Sequence, residues 1–140
     1  MTEKFEILGS YIRDLSSETP NIETYLYVKD YISKYQLNID ITSAPIKNKM
    51  IEVNTTLKFE DKTKSKKKSY FEIVFITIIK INEKISKKED LEKIILCDVQ
   101  TKIYPNLEKT FLNLLHNSGY PDIKFEKKID FEHLYNKRFN

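Results

Sequence analysis

Few residues in this chain have the chemistry for catalysis: one cysteine, Cys97, two histidines, His116 and His133, and two carboxylates, Asp14 and Glu18, four residues apart in YIRDLSSETPN. General acid–base work needs two titratable groups within reach of one reacting atom. A thiol nucleophile needs a base or a field that lowers its pKa. Neither condition is visible here. His116 and His133 lack partners at metal-ligand spacing and read as surface or partly packed side chains. Cys97 follows Ile94, Ile95 and Leu96 and reads as a buried apolar thiol. No Gly-rich phosphate loop, Gly-x-Ser-x-Gly elbow or His-Glu-x-x-His run occurs. The expectation is a protein that is not an enzyme and uses no cofactor or metal.

Charge gives one further candidate. The net charge is +3, from 24 basic and 21 acidic groups, and five of the lysines fall in KTKSKKK, Lys62 to Lys68. Such a run suits nucleic acid or anionic lipid. It has no arginine and no aromatic platform beside it, so it reads better as a solvated hairpin tip whose lysines discourage edge-to-edge aggregation. A small nucleic-acid-binding module is kept as an alternative.

The elements that must hold these residues follow from periodicity. Ile51, Val53, Thr55, Leu57 and Phe59 alternate with polar residues, as do Leu37, Ile39 and Ile41. A period of two with one wet face predicts antiparallel strands, with Ala44-Pro45 to Lys49 as the turn. YFEIVFITIIKI, Tyr70 to Ile81, is apolar on both faces for most of its length, so it needs cover on both sides. Helices from the same chain can supply one cover. The other calls for a partner protein, hence self-association, with an ordinary buried central strand as the alternative.

The second half is helical in pattern. Leu91, Ile94 and Ile95 are spaced for a helix over Lys87 to Cys97. Pro105 then opens the clearest helix, with Leu107, Phe111, Leu114 and Leu115 as its stripe, Leu112 widening it and Gly119 as its C-terminal cap. A strand-like piece, Asp122 to Lys127, precedes a terminal helix capped by Asp130, whose packing face is Phe131, Leu134 and Tyr135. The fold class is therefore α+β: a four-stranded antiparallel sheet with helices packed on one face, in a single domain spanning residues 1–140. One connector stands out for tyrosines, Tyr25, Tyr27, Tyr31 and Tyr35, interleaved with apolar residues including Ile32. Aromatics with polar tips suit adaptable interfaces; packing on the chain's own core is the other reading. A lone cysteine suits a reducing compartment. MTEKFEILGSYIRD has no signal-peptide core, and no apolar run approaches the ~20 residues of a membrane span. A soluble, cytoplasmic protein without membrane insertion is expected.

Three segments, taken in order, resemble the SecB family of bacterial export chaperones. YIRDLSSETPN is similar to the family's first strand, IYPNLEKTFLNLLHNSGYP to its long helix with the same proline spacing, and DFEHLYNKRF to its closing helix. The resemblance implies a homotetramer, a dimer of dimers, that holds non-native secretory precursors and passes them to the ATPase SecA without a cofactor. Asp14 and Glu18 match the family's acidic positions facing SecA. Glu72 matches a third such position on the fourth strand, with Tyr70 at an apolar neighbour. Tyr31 falls near a family aromatic of the client groove, so client contacts are placed on Tyr25, Tyr27, Tyr31 and Ile32. Exposed apolar grooves would capture unfolded segments, with main-chain groups available to add a strand. The chain departs from the family at Ile76-Thr77-Ile78-Ile79, where a Gly-containing stretch is common, at Gln100-Thr101-Lys102, which lacks a usual proline, and in its basic balance. A SecB-like chaperone serving another client, such as a toxin–antitoxin system, is the first alternative.

Overall fold

A computed structural model describes residues 3–125 and 128–139. Four strands, β1 (Phe5–Glu18), β2 (Gln36–Pro45), β3 (Met50–Glu60) and β4 (Tyr70–Ile81), form one antiparallel sheet in the order β1-β4-β3-β2. The strand richest in apolar residues, β4, is thus central. The expected α+β class and its four-stranded antiparallel sheet are present.

The β2–β3 turn is tighter than expected. Ala44 and Pro45 still belong to β2, with Pro45 paired to Ile51. Proline is tolerated there because β2 is an edge strand, so its missing N–H costs no ladder bond. Asn48 and Lys49 make the reversal at φ of 60° and 65°, both in the left-handed region that suits a two-residue hairpin turn.

Register determines which residues face the helices. Val53, Leu57 and Phe59 on β3 and Phe71, Ile73, Ile79 and Ile81 on β4 join one core with Val99, Ile103, Leu107, Phe111 and Leu115 of the long helix. Those helical positions recur every four residues and form the stripe that lies on the sheet. Each fully buried side chain of this size stabilises by about 1.5–3 kcal/mol. On the opposite, open face Ile76 is also closed off from solvent; its cross-strand neighbours are Tyr11 and Asn54.

Helix α1 (Ile22–Tyr31) occupies the tyrosine-rich connector. Asn21 caps it, its side chain accepting the Thr24 N–H at 2.8 Å, and Thr24 and Val28 face inward. A single 3-10 turn, Ile32–Lys34, leads to β2. Downstream, α2 (Lys88–Lys93) runs through a π turn at Ile94–Asp98 straight into α3 (Val99–Asn117).

Pro105 therefore does not open the long helix; it lies inside it. An interior proline costs one backbone hydrogen bond and a ring clash, about 3 kcal/mol. Val99, Gln100, Ile103 and Tyr104, all N-terminal to it, are buried, and their packing outweighs that cost. The π turn is pinned by Gln100, whose Nε2 donates to Thr55 Oγ1 at 2.9 Å and reaches the Ile95 carbonyl at 3.5 Å.

Gly119 ends α3 as expected. The Tyr120 N–H donates to the Leu115 carbonyl at 3.2 Å and the Gly119 N–H to the His116 carbonyl at 3.3 Å, the paired bonds of a Schellman cap. The stretch after it is not a strand. Pro121 and Asp122 form a turn, and 123–125 are irregular. Glu126 and Lys127 lie outside the described residues. Ile123 and Phe125 are apolar because they pack against the core, which mimics strand alternation. Helix α4 (Phe131–Phe139) closes the chain, and the Asp130 carboxylate accepts the His133 N–H at 3.1 Å.

Candidate functional site

Strand β1 carries two irregularities in its pairing with β4, at Ile7/Gly9 and at Ile12/Asp14. Each extra residue in a bulge shifts the alternation of faces by one. Tyr11 and Asp14, three apart, consequently both face the open side, opposite Ile76 and Val74. Asp14, Ser16 and Glu18 then form one row, and across from them lie Val74, Glu72 and Tyr70 in turn. The four residues Asp14, Glu18, Tyr70 and Glu72 thus share one patch of one face. Tyr70 is 59% exposed and both β1 carboxylates are exposed.

The patch is not laid out for acid–base chemistry. Along a strand Asp14 and Glu18 stand about 13 Å apart, with Glu72 opposite the residue between them. Ser16 donates to Asp14 Oδ2 at 2.5 Å. Lys58 on β3 pairs opposite Glu72. Three carboxylates thus surround an exposed tyrosine ring on this face.

The other region lies at the same end of the sheet but on the helix side, against the β2 edge. A groove of about 840 Å³ runs between the start of β2 and residues 122–125 and 128–129. Its apolar lining is Ile32, Tyr35, Leu37, Phe59, Phe125 and Ile129. The rings are packed edge and face: Tyr35 to Phe59 at 5.6 Å, Phe59 to Phe125 at 5.6 Å, Phe111 to Phe125 at 6.3 Å. Burial raises the Tyr35 hydroxyl's pKa above the usual tyrosine value, opposed by the Ser69 N–H that donates to its oxygen at 3.1 Å.

The four tyrosine-connector candidates divide between different tasks. Ile32 lines the groove. Tyr27 and Tyr31 stack on each other at 4.6 Å, with Lys67 Nζ 5.8 Å from the Tyr27 ring and Lys34 Nζ 5.2 Å from the Tyr31 ring. Tyr25 turns away from this pair: its hydroxyl donates to the Gly119 carbonyl at 3.0 Å and its ring packs on Tyr120 at 5.6 Å, tying α1 to the end of α3. Tyr35 belongs to the tyrosine connector marked in the sequence; Leu37, Phe59, Phe125 and Ile129 were not singled out for a site. The available signal was the apolar alternation of Ile123 and Phe125, which read as a strand.

The remaining chemical candidates have local partners. His116 Nε2 donates to the Ile123 carbonyl at 2.9 Å. Cys97 is buried, and that burial, then Glu132 and Asp98, pushes its thiol pKa up. In the lysine loop, Lys68 Nζ donates to the Thr63 carbonyl at 2.5 Å. The Thr63 N–H and hydroxyl hold Asp61 below the usual carboxylate range. Among the described residues no three His, Cys, Asp or Glu side chains cluster as metal ligands, and no helix is long and apolar enough to cross a membrane.

Comparison with known proteins yields a consistent set of matches. A family model described as preprotein translocase subunit SecB matches residues 1–140. A protein of Pelagibacter ubique named as a SecB protein-export protein is 59% identical over 140 residues, covering all of both chains. The protein-export protein SecB of Rhodospirillum rubrum is 24% identical over 132 residues, covering 94% of this chain and 80% of its own. Among solved structures, a SecB-like chaperone of Mycobacterium tuberculosis, in complex with a peptide from an antitoxin, superposes with a TM-score of 0.61 at 11% identity, covering 89% of this chain and 91% of its own. That likeness is one of fold.

Proposed function

This chain belongs to the SecB family, and we propose that it serves protein export as a chaperone, gripping non-native precursor segments in the groove beside β2 and presenting the Asp14–Glu72 patch to SecA. The observation that carries the reading is the groove itself. The groove, of about 840 Å³, opens beside the first residues of β2, an edge strand of the sheet. An extended segment laid there can place alternate side chains on Tyr35, Leu37 and Phe125 while its backbone pairs with the edge. Nothing in that grip requires a bound group, and an unfolded client needs no unique shape.

The β1 edge supports assembly. Leu8, Tyr11, Ile12 and Leu15 stand 43–50% exposed along it, Tyr11 on the open face and Ile12 and Leu15 on the helix side, apolar surface of the kind that marks association. We place a homotetramer, a dimer of dimers of the 16.7 kDa chain, on that edge, with residues 1–140 as one domain acting in the cytoplasm.

The test is a denatured model client diluted with the purified protein, followed by light scattering, alongside a SecA pull-down. Suppressed aggregation by a particle of four chains is the expected result. Asp14→Arg and Glu18→Arg should each abolish SecA capture and leave suppression intact. Tyr31→Ser should weaken suppression without changing particle mass. A monomer that leaves the client's aggregation rate unchanged overturns the proposal.

A further inference from the structure

The apolar floor of the groove is ringed by cations. Lys124 and Lys128 line it, against one acid, Asp122. Beside it the Tyr27–Tyr31 stack carries Lys67 over one ring and Lys34 over the other. All four lysines are exposed, and among the described residues none of them is ion-paired. Asp61, in the loop after β3, is already engaged by the Thr63 N–H and hydroxyl within its own loop, and Glu60 lies opposite Gln36 at the start of β2. A rim of four ammonium groups above an aromatic floor is not neutral toward what enters. It repels a basic segment and attracts an acidic one while the floor takes apolar side chains from either.

Resting on the client-groove reading above, we infer that this chaperone selects unfolded segments in which an apolar or aromatic stretch is flanked by Asp or Glu. The floor supplies affinity through buried area, and the rim supplies discrimination. Lys34 and Lys67 are held over tyrosine rings by cation–π contact, which keeps their ammonium groups beside the stack instead of sweeping freely. Lys124 and Lys128 bracket the groove on the opposite wall. A client carboxylate on either side of its apolar core meets at least one of these groups.

The test uses three fluorescent peptides with one shared apolar core and flanks of Glu, Ser or Lys, titrated by anisotropy into the full-length protein. Exposed pairs are individually weak, so the expected gap is about tenfold in Kd between Glu and Lys flanks at low salt, with Ser between. It should shrink severalfold as salt shortens the screening length. Lys124→Glu with Lys128→Glu should erase or invert the order of the Glu-, Ser- and Lys-flanked peptides. Equal affinities for the three peptides, or tighter binding of the Lys-flanked one, overturn the inference while leaving the client groove standing. Failure of all three to bind removes the groove as the client site, and the inference with it.

Discussion

Tyr70, Phe71 and Glu72 are consecutive on β4, yet they serve two different surfaces. Tyr70 and Glu72 point to the open face with Asp14 and Glu18, whereas Phe71 points through to the helix side, its ring 6.4 Å from both Tyr35 and Phe59 under the groove. The acidic patch and the groove therefore sit back to back at one end of the sheet. The patch is a product of strand register alone, its side chains standing in solvent. The groove is assembled from β2, β3, α1's exit and residues 122–125 and 128–129, and its floor is continuous with the core. A surface set by register can change side chains without disturbing the fold. A surface that is also core cannot.

The largest effect should come from the groove floor. Phe59→Ala removes a buried ring that touches Tyr35, Phe71 and Phe125. The expected loss is about 3–5 kcal/mol in urea unfolding, with client holding lost in parallel. Full holding activity with that stability loss would separate groove from core and break the contrast.

Gly119→Ala comes next. The residue sits at φ +108°, and a Cβ there would meet Tyr25 Cε1 at 2.5 Å. Backbone strain and collision together should cost about 2 kcal/mol. Removing the ring as well, in a Tyr25→Ala double variant, should recover part of that loss, so the two changes will not add. Additive losses would mean that Tyr25 does not anchor α1 to the end of α3.

How far the sequence reveals these regions depends on what builds them. Alternation in β2 and β3 and the apolar run of β4 are local properties, so the strands were legible. So was the punctuation around α3 and α4, namely Gly119 as C-cap and Asp130 as N-cap. Asp14 and Glu18 share a face because four residues span two full strand periods, which sequence alone suggests. That Tyr11 joins them depends on the bulge at Arg13, which no local pattern announces. The groove was less legible because Phe125 and Ile129 are apolar for the sake of partners far away in sequence. Pro105 misled for the opposite reason. Its local preference for a first turn is real, but burial of Ile103 and Tyr104 decided the helix start.

Alkaline pH should probe the groove side with a smaller effect. Burial lifts Tyr35 above its ordinary value of 10.0 and Cys97 above 9.0. The folded state then holds these protons more tightly than the unfolded chain. That contribution is intact below pH 9 and is lost as the pH climbs through the raised values. Urea midpoints should fall progressively above pH 9, and Cys97→Ala should delay the onset. A midpoint flat through that window would show that neither group is as shielded as its surroundings indicate.

The smallest change in stability, and the sharpest contrast, is expected at Glu72→Gln, one residue from Phe71. Glu72 lies opposite Lys58 on β3, and an opposed pair on a wet sheet face contributes only about 0.2–1 kcal/mol. The amide keeps the shape and most of the packing, so unfolding should shift by no more than about 0.5 kcal/mol. Groove binding should not move, because the side chain projects from the other side of the sheet. Under the SecA reading proposed for this patch, SecA affinity should fall severalfold at low salt, since one of three carboxylates loses its charge, and the difference should fade as salt screens the rest. Phe71→Ala, its immediate neighbour, should do the reverse, costing stability and client binding together. If both substitutions behaved alike, the strand's alternation would not be what divides the two surfaces.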